Sequence, residues 1–175
     1  MLRIFSCFVL SLSLSATPLF AQETEMDGGP SGAFTYSADA DVAAVQREVK
    51  QVVLDYQAGL NASDWSMIAP LFAPDAVAEW NDKETKIGPP AMEPSYLALF
   101  EEIDFETDFQ FDAIDVYDDI AIVRTHHPVG QAELHLEDGS RTLDFNREIF
   151  VLRRFEDRWK IIVYTFNTQP KQGEQ

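Results

Sequence analysis

The chain has 175 residues, enough for one ordinary domain and short of two. Hydrophobic residues make up 46% of it and include 13 Phe, 5 Tyr and 3 Trp, a content that excludes a disordered chain and is sufficient for a packed core. With 30 acidic residues against 13 basic ones the net charge is −17, a field that repels nucleic-acid phosphate and anionic membrane surfaces alike.

In chain order, the first feature is a leader. Arg3 precedes the apolar run Ile4–Leu14, and small and turn-forming residues then lead to Ala21. This pattern reads as a secretory signal peptide over residues 1–21, and so as a periplasmic or secreted protein. The run is short for a bilayer span, although an uncleaved tether remains the rival reading. Cys7, the only cysteine, lies inside the run, so a mature chain has neither a disulfide nor thiol chemistry. Loss of Arg3 makes the charge one unit more negative. No basic stripe offsets it, because Arg147, Arg153, Arg154 and Arg158 are interleaved with Glu148, Glu156 and Asp157.

Gln22–Asp39 is rich in Gly, Ser, Asp and Glu and reads as a flexible linker. The domain follows over residues 40–170, and residues 171–175 form a polar tail. Val45, Val49, Val52, Tyr56 and Leu60 recur at three- and four-residue steps, which predicts a helix capped by Asp39 or Asp41. Ser63 or Asp64 caps a second helix carrying Trp65, Ile68, Leu71 and Phe72, which Pro74 stops. Asn61-Ala-Ser is formally a glycosylation acceptor, but a turn between helices explains it better. A short strand is expected at Ala76–Trp80, and a third helix with Pro94 in its first turn carries Tyr96, Leu97, Leu99 and Phe100. From there the apolar period becomes two. Phe105–Tyr117, Ile120–His127, Arg141–Arg154 and Trp159–Gln169 read as strands, with turns at Asp118-Asp119, Glu137-Asp138-Gly139 and Glu156-Asp157. Helices first and an antiparallel meander last make an α+β arrangement, with no glycine-rich phosphate loop.

The order of elements and several stretches resemble the SnoaL-like branch of the NTF2-like superfamily. The matching pieces are Tyr56–Leu60 with Asn61-Ala-Ser-Asp64-Trp65, then Leu71–Val77, Ile87-Gly88, Asp118–Arg124 and Trp159–Ile161. The resemblance runs from about Val45 to Asn167. It implies a cone in which a curved antiparallel sheet is wrapped by three N-terminal helices around an internal cavity. It does not choose a function, because the superfamily includes isomerases, dehydratases, cyclases and plain binding domains.

The resemblance implies three candidate catalytic residues. Tyr56 matches an oxyanion-donating tyrosine of a steroid isomerase of this fold; the alternative is a core tyrosine bonded to a backbone carbonyl. Glu148 aligns near that enzyme's second oxyanion donor, or else points outward to Arg147 or Arg154, and sheet parity leaves both open. Where the isomerase has its carboxylate base this chain has Trp80, whose indole donates and cannot accept. Glu79 belongs to the opposite strand face and Asp82 to a loop. His127 shares a strand face with Val123 and Thr125 and can act as an acid or base for dehydration; the alternative is a histidine touching solvent at a strand end.

His126 and His127 point apart on their strand and His135 lies in or near a turn, so a metal site has no support, and no cofactor is expected. Thr165 and Asn167 share a face with Trp159, Ile161 and Val163; if that face is inward, they are neutral anchors beside an apolar wall. Ile162, Tyr164 and Phe166 would then face outward with Phe145, Ile149 and Val151, and an apolar outer face predicts a homodimer through the sheet. The expected function is binding of a small, largely apolar molecule. Tyr56, Trp65, Trp80 and Tyr96 would line its pocket from the helical half, and Phe109, Phe111, His127, Thr165 and Asn167 from the sheet. An isomerase or dehydratase using Tyr56, Glu148 and His127 is the alternative.

Overall fold

A computed structural model describes residues 34–81, 83–127, 133–136, 141–143 and 146–168. The expected leader, the turn at 137–139, Asp82, Phe145 and the tail at 171–175 lie outside the described residues. Helix α1 (Ala40–Asn61) begins where the Asp39 carboxylate accepts from the backbone N–H of Asp41 at 2.9 Å and of Val42 at 3.2 Å. Its buried stripe runs through Gln46, Val49, Val53, Tyr56 and Leu60, so Val45 and Val52 flank the core rather than centre it. The segment before the helix is not a free lead as far as residue 39. Phe34 packs against the core, Ser37 N–H donates to Gln46 Oε1 at 2.8 Å, and the Arg47 guanidinium lies 4.8 Å over the Tyr36 ring. The packed unit therefore starts by Phe34, six residues before the expected boundary.

The turn after α1 is tight. A Cβ on Gly59 would stand 2.5 Å from Ile68 Cγ1, so only glycine lets α2 (Trp65–Ile68) approach this closely. Asp64 caps α2 by accepting from Ser66 N–H at 2.8 Å, and its carboxyl is lowered from the usual range by the bonds from the Ser66 hydroxyl and backbone. The second helix is shorter than expected. A 3₁₀ turn over Ala69–Leu71 follows it, and Phe72 already opens strand β1 (Phe72–Glu79). Pro74 therefore sits inside a strand, where the pairing register shifts between Phe72 and Val77. Strand β2 (Lys86–Ile87) pairs with β1, and α3 (Pro89–Glu102) begins five residues before Pro94, with Pro89 and Pro90 in its first positions.

Strands β3 (Ile103–Phe105), β4 (Gln110–Tyr117), β5 (Ile120–His126), β6 (Glu133–Leu136), β7 (Arg141–Leu143), β8 (Asn146–Phe155) and β9 (Arg158–Thr168) complete the chain. They form a six-stranded sheet in the order β2-β1-β9-β8-β5-β4 and a three-stranded sheet β3-β6-β7. The large sheet is mixed rather than antiparallel throughout, because β1 joins β9 in parallel. Two expected strands are each divided: β3 leaves β4 for the small sheet, and β7 is separate from β8. His135, expected in or near a turn, lies on β6 opposite Asp104. The two-residue hairpins at Asp118-Asp119 and Glu156-Asp157 form as expected, with Asp118 and Glu156 at φ near +50°. The described domain is an α+β cone whose open, curved sheet holds the helices on its inner side.

Candidate functional site: an aromatic cavity with a buried acid–base pair

A cavity of about 710 Å³ lies between α1, α3 and the inner face of the large sheet. Tyr56 stands at its centre because its position on α1 faces the sheet. Its ring stacks on Phe109 at 6.3 Å and meets Phe150 and Tyr164 at 5.5 and 5.2 Å. The Tyr56 hydroxyl lies 2.7 Å from that of Tyr96 on α3 and is also bonded to Tyr164. Burial raises both the Tyr56 and the Tyr96 phenol well above the usual value. Tyr164 and Glu148 add to the shift at Tyr56. Both phenols are therefore neutral donors near neutral pH.

Glu148 on β8 is directly opposite Thr125 on β5, and the parity left open in the sequence resolves inward. The residue is 3% exposed. Thr125 Oγ1 donates to Glu148 Oε2 at 2.7 Å, and His127 Nε2 stands 3.1 Å from Oε1. His127 is itself buried, with its ring edge-on to Phe109 at 5.2 Å. Two titratable groups in contact within an apolar cavity can pass a proton between them, and desolvation makes such a pair costly to keep. The neighbouring His126 faces the other way and contacts Asp112 at 2.8 Å.

The structure brings Tyr56, Tyr96, Trp80, Phe109, His127 and Glu148 together on the cavity wall. Trp80 is edge-on to Tyr96 at 5.3 Å. Glu79 is exposed, so neither occupant of that strand end supplies a carboxylate to the cavity. Trp65 is behind the wall, stacked on Tyr96 at 4.9 Å, and Phe111 lies beneath Lys50 at 4.7 Å; neither lines the cavity.

Thr165 and Asn167 are a correction. They share the outer face with Ile149 and Arg147, and Arg147 Nε donates to Asn167 Oδ1 at 2.6 Å. The cause is a bulge. Val151 pairs with Val163 but Leu152 pairs with Ile161, so Ile162 is an extra residue in β9. Parity reverses across it: Trp159 and Ile161 point inward, and so do Tyr164 and Phe166. Tyr164 and Phe166 thus line the cavity instead of the outer face.

Phe105 and Thr107, which were not among the residues expected at the pocket, line the cavity together with Phe109. The signal was present in the alternation of Asp104, Glu106 and Asp108 with these residues. Asn61 holds this segment in place. Its amide donates to Thr107 O at 2.9 Å and its carbonyl accepts from Thr107 N–H at 2.7 Å, a clamp between distant parts of the chain rather than a local turn contact. Among the described residues, no group of three or more His, Cys, Asp or Glu side chains gathers as for a metal ion. Among the same residues, no helix is long and apolar enough to cross a membrane.

No family model matches the sequence, and comparison with curated proteins gives no match. Solved structures do match. A ketosteroid isomerase-like protein from Erwinia carotovora atroseptica superposes with a TM-score of 0.64 at 18% identity, covering 72% of this chain and 97% of that one. An NTF2-like superfamily protein from Salmonella enterica gives 0.63 at 18% identity, over 75% and 95%. A scytalone dehydratase-like protein from Novosphingobium aromaticivorans gives 0.61 at 14% identity, over 73% and 85%. At these identities the likeness concerns the backbone alone. Together with the mixed curved sheet and its three helices, it shows that the chain has an NTF2-like fold.

Proposed function

We propose that this is an exported domain that holds a small, largely apolar, uncharged molecule in the cavity between α1, α3 and the sheet. The observation that carries this reading is the cavity itself: about 710 Å³, with Tyr, Trp and Phe rings around the buried His127 and Glu148, and with the exposed Lys83, Glu84 and Glu102 and the half-buried Lys86 also in its lining. That size and lining suit a compact organic ligand oriented by a small number of hydrogen bonds. Native mass spectrometry of protein isolated from its own compartment tests it. A co-purified small molecule, on a chain whose mass begins at Gln22, supports both binding and export. A chain that neither carries nor takes up any apolar ligand, with Trp80 fluorescence unmoved, refutes the binding reading.

A second reading is favoured by the contact between His127 and Glu148 at 3.1 Å. In it the pocket catalyses an isomerisation or dehydration, with His127 moving a proton and the Tyr56 phenol donating to the developing oxyanion. Glu148 orients the imidazole. Tyr56→Phe and Glu148→Gln would each lower turnover of a ketone or hydroxy-ketone substrate by about 10²-fold or more. Equal rates in variants and parent remove this reading.

The partner belongs to the same proposal. On the outer face Ile122, Val151, Val163, Val77 and Ile87 fall in one register row across five strands, and Ile87 and Ile149 are exposed. Tyr164 and Phe166 no longer belong to this face, yet the β-branched row remains an apolar surface fit for a second copy of the chain. Light scattering on the purified domain reads a dimer if this is right, and a monomer if it is not.

A further inference from the structure

Among the described residues, the wall contains a hydroxyl whose hydrogen-bonding capacity the fold leaves unused. Thr107 is 4% exposed, and its Oγ1 is buried with no hydrogen-bond partner. Its backbone is not in want of partners, because Asn61 at the end of α1 satisfies both the N–H and the C=O. Two residues on, Phe109 N–H donates to Gln57 Oε1 at 2.7 Å, so the segment is pinned to α1 at two points. Asp104, Glu106, Asp108 and Gln110 are exposed and Thr107, Phe109 and Phe111 are buried, which sets the Thr107 side chain on the inner side of the segment. A buried hydroxyl without a partner is costly, and a rigid one in a cavity wall is a natural receptor for a ligand's polar atom.

We propose that Thr107 is the hydrogen-bonding anchor of the cavity at the end nearest the C-terminus of α1. Its hydroxyl takes an uncharged oxygen function of the bound molecule, a hydroxyl or a carbonyl. This deepens the binding reading above and rests on it. The cavity is thereby assigned to oxygenated apolar molecules rather than to plain hydrocarbons, since a hydrocarbon would seal the hydroxyl off without pairing it. A threonine hydroxyl both donates and accepts, so alcohols and ketones of the same shape are served alike.

The test uses two probes of matched shape, 2-naphthol and 2-methylnaphthalene, titrated by calorimetry into the domain and into Thr107→Val and Thr107→Ser. The parent and Thr107→Ser bind the naphthol about fivefold more tightly than the hydrocarbon. Thr107→Val binds the two within about twofold of each other, because its methyl fills the same space without the hydroxyl. Persistence of the full naphthol preference in Thr107→Val overturns the assignment while leaving the cavity reading intact. Failure of the parent to bind either probe overturns both. Without ligand, Thr107→Val melts at or above the temperature of the parent, as expected when a buried unpaired hydroxyl is replaced by a methyl. A melting temperature several degrees lower shows instead that the hydroxyl holds the fold together, and ends the proposal.

Discussion

Thr125→Val isolates the hydrogen bond that Glu148 accepts on the inner face of the sheet. The substitution keeps the side-chain shape and removes the one atom that donates to Glu148 Oε2 at 2.7 Å. Both residues are buried, so no bulk water replaces the lost donor. Removing the donor leaves Glu148 Oε2 buried and short of a partner, at a cost of about 1–3 kcal/mol, and we expect a loss of about 2 kcal/mol. In a domain of this size that is a fall in Tm of roughly 6–10 °C. Urea unfolding, followed by far-UV circular dichroism, should show a lower midpoint with an unchanged slope. In a Glu148→Gln background the acceptor has already been changed, so the two substitutions should couple by about 1 kcal/mol. If Thr125→Val lies within about 0.5 kcal/mol of the parent, or if the effects simply add, the carboxylate is not held by Thr125 and the account of the pair is wrong.

Alkaline titration followed at 295 nm should leave at least the Tyr56 and Tyr96 phenols un-ionised beyond the usual tyrosine range, because burial raises both. Their folded values exceed the unfolded ones, so the stability they contribute is present below about pH 10 and is lost as pH rises beyond it; ionisation of all five Tyr together near pH 10 without unfolding contradicts this. Gly88→Ala should cost about 2 kcal/mol or more in denaturant unfolding, since Gly88 has φ +76° and an added Cβ would meet Pro74 O at 2.6 Å. Asn61→Ala should cost about 1–2 kcal/mol and loosen the cavity wall, which hydrogen exchange at the Thr107 and Phe109 amides reads directly; unchanged protection there refutes the clamp.

Much of the architecture was legible before any coordinates. The three- and four-residue spacing of α1, the capping aspartates, the two hairpin turns and the inward run Val123–Thr125–His127 all follow from local rules, and the structure keeps them. The resemblance to the NTF2-like superfamily implied a cavity, and Tyr56, Trp80, Tyr96, Phe109 and His127 are on its wall. Legibility ended where both faces of a strand are apolar. On β8 the run Glu148–Leu152 carries large apolar residues on either side, so parity alone could not turn Glu148 inward; its pairing with Thr125 does.

What the chain alone determined about this protein is its acidic charge, its helices-then-strands order, its turns and the residue types available for a pocket, because each depends on near neighbours. What only the tertiary structure decided is which of those side chains meet. A single extra residue at Ile162 reverses the end of β9, sending Tyr164 and Phe166 into the cavity and Thr165 and Asn167 out of it. Asn61 reaches Thr107 across 46 positions, and Thr125 reaches Glu148 across 23. Contacts of that span depend on strand register and helix docking, which no local pattern encodes.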